Sequence, residues 1–237
     1  MEKPQIMEWE KKIVSPAEVM EKITPGANIF LGTGAAEPRT LVRHLMDSDA
    51  VNLQDLEFTQ IVSLGDAITL RDLQSQKFRL KTFFSGWVAG EAFTQGRVDL
   101  IPSRFAKIPD LIESGRISID IAFIQITPPD QTGFCSLGVA VDVAQLAMDQ
   151  ARLVVGEINP MTPRTFGDTF VPISNFDLLV HSTEEPICFP RWKKDKNFEQ
   201  VAANLASVIE DGSCLGFSIG PLYETLCGHL STKRNLG

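Results

Sequence analysis

The sequence predicts an α/β protein built on an open, mostly parallel β-sheet that helices cover on both faces. Short apolar segments typical of strands alternate with helical segments along the chain, which is the order that βαβ units produce. The candidate strands are also apolar on both faces, as expected for strands buried between two layers of helices. The chain has 237 residues, enough for one or two domains.

The first strand–loop–helix unit is predicted near the N-terminus. Ser15 and Glu18 have the spacing of a capping box, with a proline between them at the first helical position, so a helix begins there. A short buried strand follows over residues 28–31, then a loop of small residues over 32–36 and a helix over 38–46. This order of elements is the building block of open α/β sheets.

The same alternation continues through the middle of the chain. Strands are predicted over residues 56–62, 81–84, 98–101, 119–127 and 153–157, and helices over 105–113 and 142–151. The strongest candidate strand ends at a Pro-Pro-Asp sequence, and the loop after it extends to Gly138. Loops at the carboxyl ends of parallel strands are where such sheets bind ligands. A plain turn also explains these residues.

Residues 181–197 are charged and contain several prolines, a composition typical of a boundary between domains. We therefore predict a first domain over residues 1–185. Residues 186–237 then form a linker and the start of a second, similar domain.

The second part has a predicted helix over residues 198–209, a strand over 214–217 and a helix over 223–230. The predicted strand has no partner strands of its own. Apolar residues around it, including Leu222 and Leu226, are therefore expected to be exposed. Exposed apolar patches favour association, so we predict an oligomer or a tendency to aggregate.

Composition excludes several classes of function. The net charge of −8, from 22 basic and 30 acidic residues, disfavours a nucleic-acid partner. No apolar run is long enough to span a membrane, and the N-terminus lacks the apolar core of a signal peptide, so we expect a cytoplasmic protein. The four cysteines and three histidines match no metal-site spacing, so no metal is expected.

Two loops that join a strand to a helix carry glycines suited to an anionic ligand. One is Gly32-Thr33-Gly34 and the other is Ser218-Ile219-Gly220. Backbone N–H groups at the start of a helix attract a phosphate, a carboxylate or the oxyanion of a thioester adduct. Neither loop matches a dinucleotide fingerprint or a P-loop, and a tight turn explains the same residues.

Five segments form a more specific pattern. They are residues 32–38, Trp87 with residues 96–102, residues 127–142, residues 156–168 and residues 211–220 with the final Leu-Gly. In this order they resemble the acetyl-CoA hydrolase and 4-hydroxybutyrate CoA-transferase family of class I coenzyme A transferases. The resemblance implies the sheet of CoA transferases and ribose-phosphate isomerases, with acyl-CoA and a small carboxylate as substrates.

The resemblance also implies a mechanism. A glutamate attacks the acyl-CoA, forms an acyl–glutamyl anhydride and then a glutamyl-CoA thioester, which a second carboxylate or water resolves. That glutamate is expected a few residues beyond Gly237. The chain by itself is therefore expected to be inactive, and we assign it no catalytic residue. Transferase and hydrolase activity stay equally open.

Candidate binding residues follow from the resemblance. The resemblance implies that the loop at Gly32 faces the substrate cleft. It also implies that the family's CoA loop corresponds to residues 218–222, where Ser218 replaces a glycine and Pro221 lacks a backbone donor. The candidate CoA-binding residues are Gly32, Thr33, Gly34, Ser218, Ile219, Gly220, Pro221 and Leu222. The candidate phosphate contacts, for which a solvated linker is the alternative, are Lys193, Lys194 and Lys196.

The sequence also leaves open other nucleophiles and other functions. Glu37, Glu91 and Glu157 are the acidic residues to consider as a substitute nucleophile, against a helix-dipole or hydrogen-bonding role. A non-catalytic CoA-binding or assembly module of a larger protein is the alternative function, favoured by the changes at Ser218 and Pro221. A sugar-phosphate isomerase or deaminase of similar architecture would need a phosphate loop that the sequence does not show.

Overall fold

The structure is a computed structural model that describes residues 8–65, 77–84, 94, 98–188, 191–193 and 195–237. The chain divides into two compact units, one ending at Ile187 and one running from Cys188 to Gly237. In the first unit the strands are β1 Asn28–Leu31, β2 Leu56–Gln60, β3 Phe78–Thr82, β4 Val98–Leu100, β5 Ile121–Ile126, β6 Phe134–Ser136, β7 Leu153–Ile158, β8 Phe170–Pro172 and β9 Leu178–His181. Its helices are α1 Pro16–Met20, α2 Arg39–Asp47, α3 Ile108–Glu113 and α4 Ala144–Gln150.

Among the described residues, seven strands form one parallel sheet in the order β4-β3-β2-β1-β5-β7-β9. The most extensive register joins β5 to β7 over six pairs, from Ile121 opposite Leu153 to Ile126 opposite Ile158. All six residues of β5 are buried, as a central strand requires. The predicted α/β class and open parallel sheet are confirmed.

Helices bury both faces of this sheet. In β1, Ile29 belongs to one apolar cluster and Phe30 to the other, because successive side chains of a strand point to opposite faces. Helices α1 and α2 contribute to the first cluster, while α3 and α4 contribute to the second. The predicted capping box of α1 is present, with Ser15 and Glu18 bonding each other's backbone N–H groups.

The sequence missed three strands. Strands β6 and β8 form a separate antiparallel pair, and β9 is an outer strand of the parallel sheet. Each has three or four residues, too few for a clear period of alternation. The predicted strand over 81–84 is also displaced, because the observed strand β3 begins at Phe78 and ends at Thr82.

The second unit contains α5 Lys196–Val208 and α6 Pro221–His229, which confirms both predicted helices. Its buried apolar residues are Ala202, Ala206, Leu226 and Leu230. The prediction of an exposed Leu226 is wrong, because this side chain packs in that cluster. The predicted strand over 214–217 is also wrong, since these residues are irregular and no described strand pairs with them.

Candidate ligand-binding crevice

The order of strands creates a crevice between β1 and β5. From β1 the chain builds the sheet outward through β2, β3 and β4, then returns to the other side of β1 and builds outward through β5, β7 and β9. The connections that leave β1 and β5 therefore turn away from each other. Open α/β sheets bind ligands outside the carboxyl ends of strands at such a switch point.

Buried polar side chains concentrate at this carboxyl edge. Gln60 and Thr82 are the last residues of their strands, and Asn159 directly follows β7. Others near the edge are Thr33, Glu37, Ser63, Gln125, Thr127 and Glu157. Buried polar groups are costly without partners, so such a layer marks either a structural network or a site.

The loop after β1 contains Gly32, Thr33 and Gly34, which the structure brings to the crevice. A Cβ at Gly32 would lie 2.3 Å from the carbonyl oxygen of Ala36, and Gly34 has a φ of +56°, so the tight turn requires both glycines. Their N–H groups are already donated, to the carbonyl groups of Phe123 and Val62. These two amides therefore do not form the anion-binding cradle that the sequence suggested.

Thr33 is the polar side chain that this loop adds to the crevice. It is 7% exposed, and its hydroxyl group has no hydrogen-bond partner of regular geometry. Burial raises the pKa of Asp142, and the Thr33 hydroxyl opposes that rise. Thr33 follows β1 and Asp142 lies in the segment after β5 and β6, so the two residues come from opposite sides of the switch point.

Glu37 lies at the end of the same loop and is fully buried. The side-chain amide of Gln60 donates hydrogen bonds both to the carbonyl of Gly32 at 2.9 Å and to the Glu37 carboxylate at 3.0 Å. Gly65 packs so close that a Cβ there would lie 2.5 Å from the other carboxylate oxygen of Glu37. The carboxylate is enclosed by protein on both sides, which argues against a nucleophile and for a structural role.

Glu157 of β7 is also fully buried. Its carboxylate accepts hydrogen bonds from the backbone N–H groups of Thr40 at 3.2 Å and Leu41 at 3.0 Å, and from the Ser182 hydroxyl at 2.6 Å. It therefore caps the first turn of α2, whose own N-cap residue, Pro38, has no side-chain bond. Burial raises the pKa of Glu157, and these hydrogen bonds oppose that rise.

Two amide side chains hold the loop from the other side of the switch point. Gln125 of β5 donates to the carbonyl of Ala35 at 3.3 Å, and Asn159 donates to the carbonyl oxygen of the Gln125 side chain at 3.0 Å. Asn159 donates also to the carbonyl of Glu184 at 3.0 Å. The loop after β1 is thus fixed by side chains from β2 and β5, and Asn159 in turn holds the Gln125 side chain.

The Pro-Pro-Asp sequence forms a turn that Asp130 stabilises. Its carboxylate accepts bonds from the N–H groups of Thr132 at 2.9 Å and Phe134 at 3.0 Å, and from the Thr132 hydroxyl at 2.7 Å. Arg164 pairs with its second oxygen at 2.5 Å. The Thr132 hydroxyl and these N–H groups lower the pKa of Asp130 to about 2. Asp130 therefore supports the loop and leaves no free oxygen for chemistry.

The second predicted loop lies in the second unit. Ser218 and Ile219 are exposed, Gly220 has a φ of +149°, and Pro221 is the first residue of α6. Leu222 packs against that unit's apolar cluster. Ile219 is therefore available to a ligand, whereas Leu222 has a packing role.

A cavity of about 420 Å³ lies beside this helix. Arg191, Trp192, Lys193 and Glu224 are among the residues that line it. Lys193 and Lys196 are exposed, in keeping with either a solvated segment or a phosphate contact. The remaining candidates, Glu91 and Lys194, and the motif residues Trp87, Gly96 and Arg97 lie outside the described residues.

Two further findings concern the chemistry of the site. In the part of the chain that the structure describes, no group of three or more His, Cys, Asp or Glu side chains could hold a metal ion. Cys135 is buried, and desolvation raises its pKa to about 12, so it is not a nucleophile.

None of the described helices is long and apolar enough to cross a membrane.

Curated relatives match the chain along nearly all of its length. A 4-hydroxybutyrate coenzyme A transferase of Clostridium kluyveri is 32% identical over 235 residues, which cover 98% of this chain and 54% of that protein. A succinyl-CoA:acetate/propanoyl-CoA:succinate CoA transferase of Fasciola hepatica is 32% identical over 216 residues, covering 90% of this chain and 44% of that protein. The chain spans about half the length of these relatives.

Solved structures share the fold. RipA from Yersinia pestis has a TM-score of 0.82 and 26% identity, covering 97% of this chain and 56% of that one. A 4-hydroxybutyrate CoA-transferase from Porphyromonas gingivalis shares the fold with a TM-score of 0.67 and 23% identity, covering 96% and 53%. The family model of the acetyl-CoA hydrolase/transferase N-terminal domain matches residues 1–190. The chain therefore belongs to the acetyl-CoA hydrolase/transferase family and represents the N-terminal portion of its members.

Proposed function

We propose that this chain is part of an acyl-CoA:carboxylate CoA-transferase or acyl-CoA hydrolase, and that its switch-point crevice forms one wall of a thioester-binding cleft. The main support is the crevice itself, because it combines the position where open α/β sheets bind ligands with a rigid loop after β1. The named activities of the Clostridium and Fasciola relatives agree with this proposal.

The catalytic group in this proposal is a glutamate that these 237 residues do not supply. The described candidates support this view, because Glu37 and Glu157 are fully buried and hydrogen-bonded to neighbouring elements. A nucleophile must reach the thioester carbonyl, and neither carboxylate has an open path to one. The chain's own part is to position the substrate, with Thr33 as the polar side chain of the loop.

The domain organisation is also a proposal. Residues 1–185 form the N-terminal domain, and residues 186–237 form a linker with the beginning of a second domain that carries the loop from Ser218 to Leu222. Its support is that the family's N-terminal domain matches residues 1–190 and that the boundary along the chain between the two compact units falls after Ile187. Homo-oligomerisation and a cytoplasmic location stay predictions from the sequence.

Two measurements test the proposal. Isothermal titration of this chain with acetyl-CoA and butyryl-CoA is expected to show saturable binding, and CoA exchange between acetyl-CoA and a short carboxylate is expected to stay at the buffer rate. The same exchange assay on a fusion with the second half of the Clostridium relative is expected to show turnover. Robust turnover by the 237-residue chain alone would contradict the proposed source of the nucleophile.

The fusion also separates the two functions that the sequence leaves open. A non-catalytic CoA-binding or assembly module would bind the thioester and stay inactive after fusion. Because Ser218 and Pro221 depart from the family's loop, the fusion is made both with these residues and with glycine at position 218. Activity restored only by Ser218→Gly would favour the non-catalytic module for the natural sequence.

A further inference from the structure

Residues 213–215 of the second unit begin a parallel pairing with Gly237. The N–H group of Gly237 donates to the carbonyl of Ser213 at 3.0 Å, and the N–H group of Leu215 donates to the carbonyl of Gly237 at 2.8 Å. In a parallel ladder one residue bonds in this way to both residues that flank its partner, so Gly237 lies opposite Cys214. The segment stays irregular because a single pair is less than a strand.

The residues that follow offer their backbone to a further strand. Within the described part of the chain, the N–H and carbonyl groups of Gly216, Phe217 and Ser218 form no hydrogen bond. Alternate residues of a paired strand direct these groups to opposite edges, so Phe217 continues the edge that Leu215 shares with Gly237. Gly216 and Ser218 belong to the other edge. Unpaired edges of this kind are templates for pairing with another chain.

The side chains of the segment alternate as in a half-buried strand. Leu215 packs against the apolar cluster that α5 and α6 form, and Phe217 makes an edge-to-face contact with Tyr223 of α6, with ring centroids 6.2 Å apart. Cys214 and Gly216 are small and exposed, and a Cβ at Gly216 would meet no atom within 4 Å. One face is therefore covered by the unit's own helices, and the other face is open to a further layer.

Helix α5 has apolar residues on two neighbouring sides. Ala202 and Ala206 are buried in the cluster, whereas Val201, Leu205 and Val208 are exposed. The exposed residues follow one another at four and three positions, a spacing that places them in one stripe of the helix. A helix with so wide an apolar surface is typical of a position between two layers, so a partner of this unit should bring apolar side chains as well as a strand.

We propose that residues 213–218 are the docking edge for a parallel β-strand from the C-terminal portion of a family member, and that this portion binds here even as a separate polypeptide. The inference rests on the proposed function, since it takes the partner from the same family. The chain spans about half the length of its curated relatives, so the remaining half supplies a partner of the required size.

A second copy of this chain fits the surface less well. Parallel pairing joins two different edges, because the two strands run in the same direction. A closed twofold dimer places the same surface of each copy in contact, so it does not satisfy a parallel ladder. The partner must therefore present an edge of its own.

The test co-expresses this chain with the C-terminal portion of the Clostridium relative as two separate polypeptides. Size-exclusion chromatography with light scattering should show an equimolar complex. Hydrogen exchange followed by mass spectrometry should show the amides of residues 213–218 protected by at least about 100-fold more than in the chain alone, because they become ladder donors.

Two variants at one position isolate the backbone bond. Phe217→Pro and Phe217→Val both remove the aromatic ring, but only proline removes the N–H group. This group has no partner in the described chain, so the melting temperatures of the two variants alone should agree within about 4 °C. Phe217→Pro should bind the C-terminal portion about tenfold more weakly than Phe217→Val, as for the loss of one hydrogen bond.

Equal affinities of the two variants would show that no ladder bond forms at Phe217 and would overturn the inference. Oligomers of this chain alone, without an equimolar complex, would assign the surface to a second copy and overturn it as well.

The fusion described above keeps the test decisive if the separate portion is insoluble. The same amides should be protected in the fusion, and exchange as fast as in the chain alone would overturn the inference while thioester binding by the chain is unaffected. Protection of the amides together with no thioester binding by the chain would instead overturn the proposed function and leave the strand pairing in place.

Discussion

The side-chain amide of Gln60 donates a hydrogen bond to the carboxylate of Glu37 across 3.0 Å, and neither residue is exposed to solvent. The same amide group also bonds the carbonyl of Gly32 at 2.9 Å. One side chain at the end of β2 therefore holds both ends of the loop after β1. The position of this loop in the crevice therefore depends on buried hydrogen bonds as well as on the loop's own glycines.

The first prediction concerns this amide. Gln60→Ala should lower the free energy of unfolding by about 2–4 kcal/mol, because it leaves two buried acceptors without their donor and creates a cavity. Urea denaturation followed by circular dichroism measures the loss. Gln54→Ala, at an exposed position, should change the same quantity by less than about 0.5 kcal/mol. Equal effects of the two changes would show that the buried bonds contribute nothing.

The second prediction is a pH dependence that Glu157 causes. Burial raises its pKa above the ordinary value of 4.5, so the folded protein holds this proton more tightly than the unfolded chain does. Ionisation of Glu157 therefore opposes folding, and its contribution to stability falls as the pH rises from the ordinary value through the raised one. Glu157→Gln removes this titration.

Unfolding free energies of wild type and Glu157→Gln are compared between pH 4 and 7, a range set by ordinary carboxylate pKa values of roughly 4. The unfolding free energy of the wild type relative to that of Glu157→Gln should fall as the pH rises. The altered cap of α2 adds a cost to the variant that does not change with pH. Glu113→Gln, at an exposed position at the end of α3, serves as the matched control. A pH-independent difference for Glu157→Gln would contradict the assigned direction of its pKa.

The third prediction concerns the turn that Asp130 stabilises. Its hydrogen bonds hold the pKa at about 2, so its stabilising contribution is present above the ordinary value of 3.8 and is lost as the pH falls through about 2. Asp130→Asn should lower the melting temperature at pH 7, and the gap to wild type should close towards pH 2. Differential scanning calorimetry measures both, and Asp110→Asn should show no gap at pH 7.

The fourth prediction tests the close packing at Gly32. Gly32→Ala places a Cβ 2.3 Å from a backbone carbonyl oxygen, a clash that a flexible side chain cannot relieve. It should cost roughly 3 kcal/mol of stability and weaken thioester binding, because the loop must move. Gly228 lies in helix α6, where an added Cβ would meet no atom within 4 Å outside the helix's own backbone. Gly228→Ala should therefore be neutral or stabilising by up to about 1 kcal/mol. A stable, fully binding Gly32→Ala would show that the loop is not fixed.

The fifth prediction concerns association. Phe217 and Ile219 are 47% and 78% exposed in the second unit, and exposed apolar side chains favour contacts between molecules. Light scattering should show oligomers that dissociate on dilution, and the double change Phe217→Ser with Ile219→Ser should weaken them. Phe105→Ser, at a 64% exposed position of the first unit, is the control. A protein that stays monomeric at all concentrations would contradict this prediction.

Local signals in the sequence determined much of the fold. The capping box at Ser15, the apolar run of β5 and the glycine turn after β1 each depend on residues within a few positions of one another. Such signals predicted the α/β class and most elements of the sheet. The short strands β6, β8 and β9 carried no comparable signal, because three or four residues show no period.

The tertiary structure alone decided which groups meet in the crevice. Glu157 caps a helix 117 residues before it, and Gln125 of β5 bonds the loop after β1 because β1 and β5 are neighbours in the sheet. Sequence motifs do not say whether a carboxylate is enclosed, as at Glu37, or exposed, as at Asp110. Strand order and burial settle that question, because desolvation and hydrogen bonding depend on neighbours in space and not along the chain.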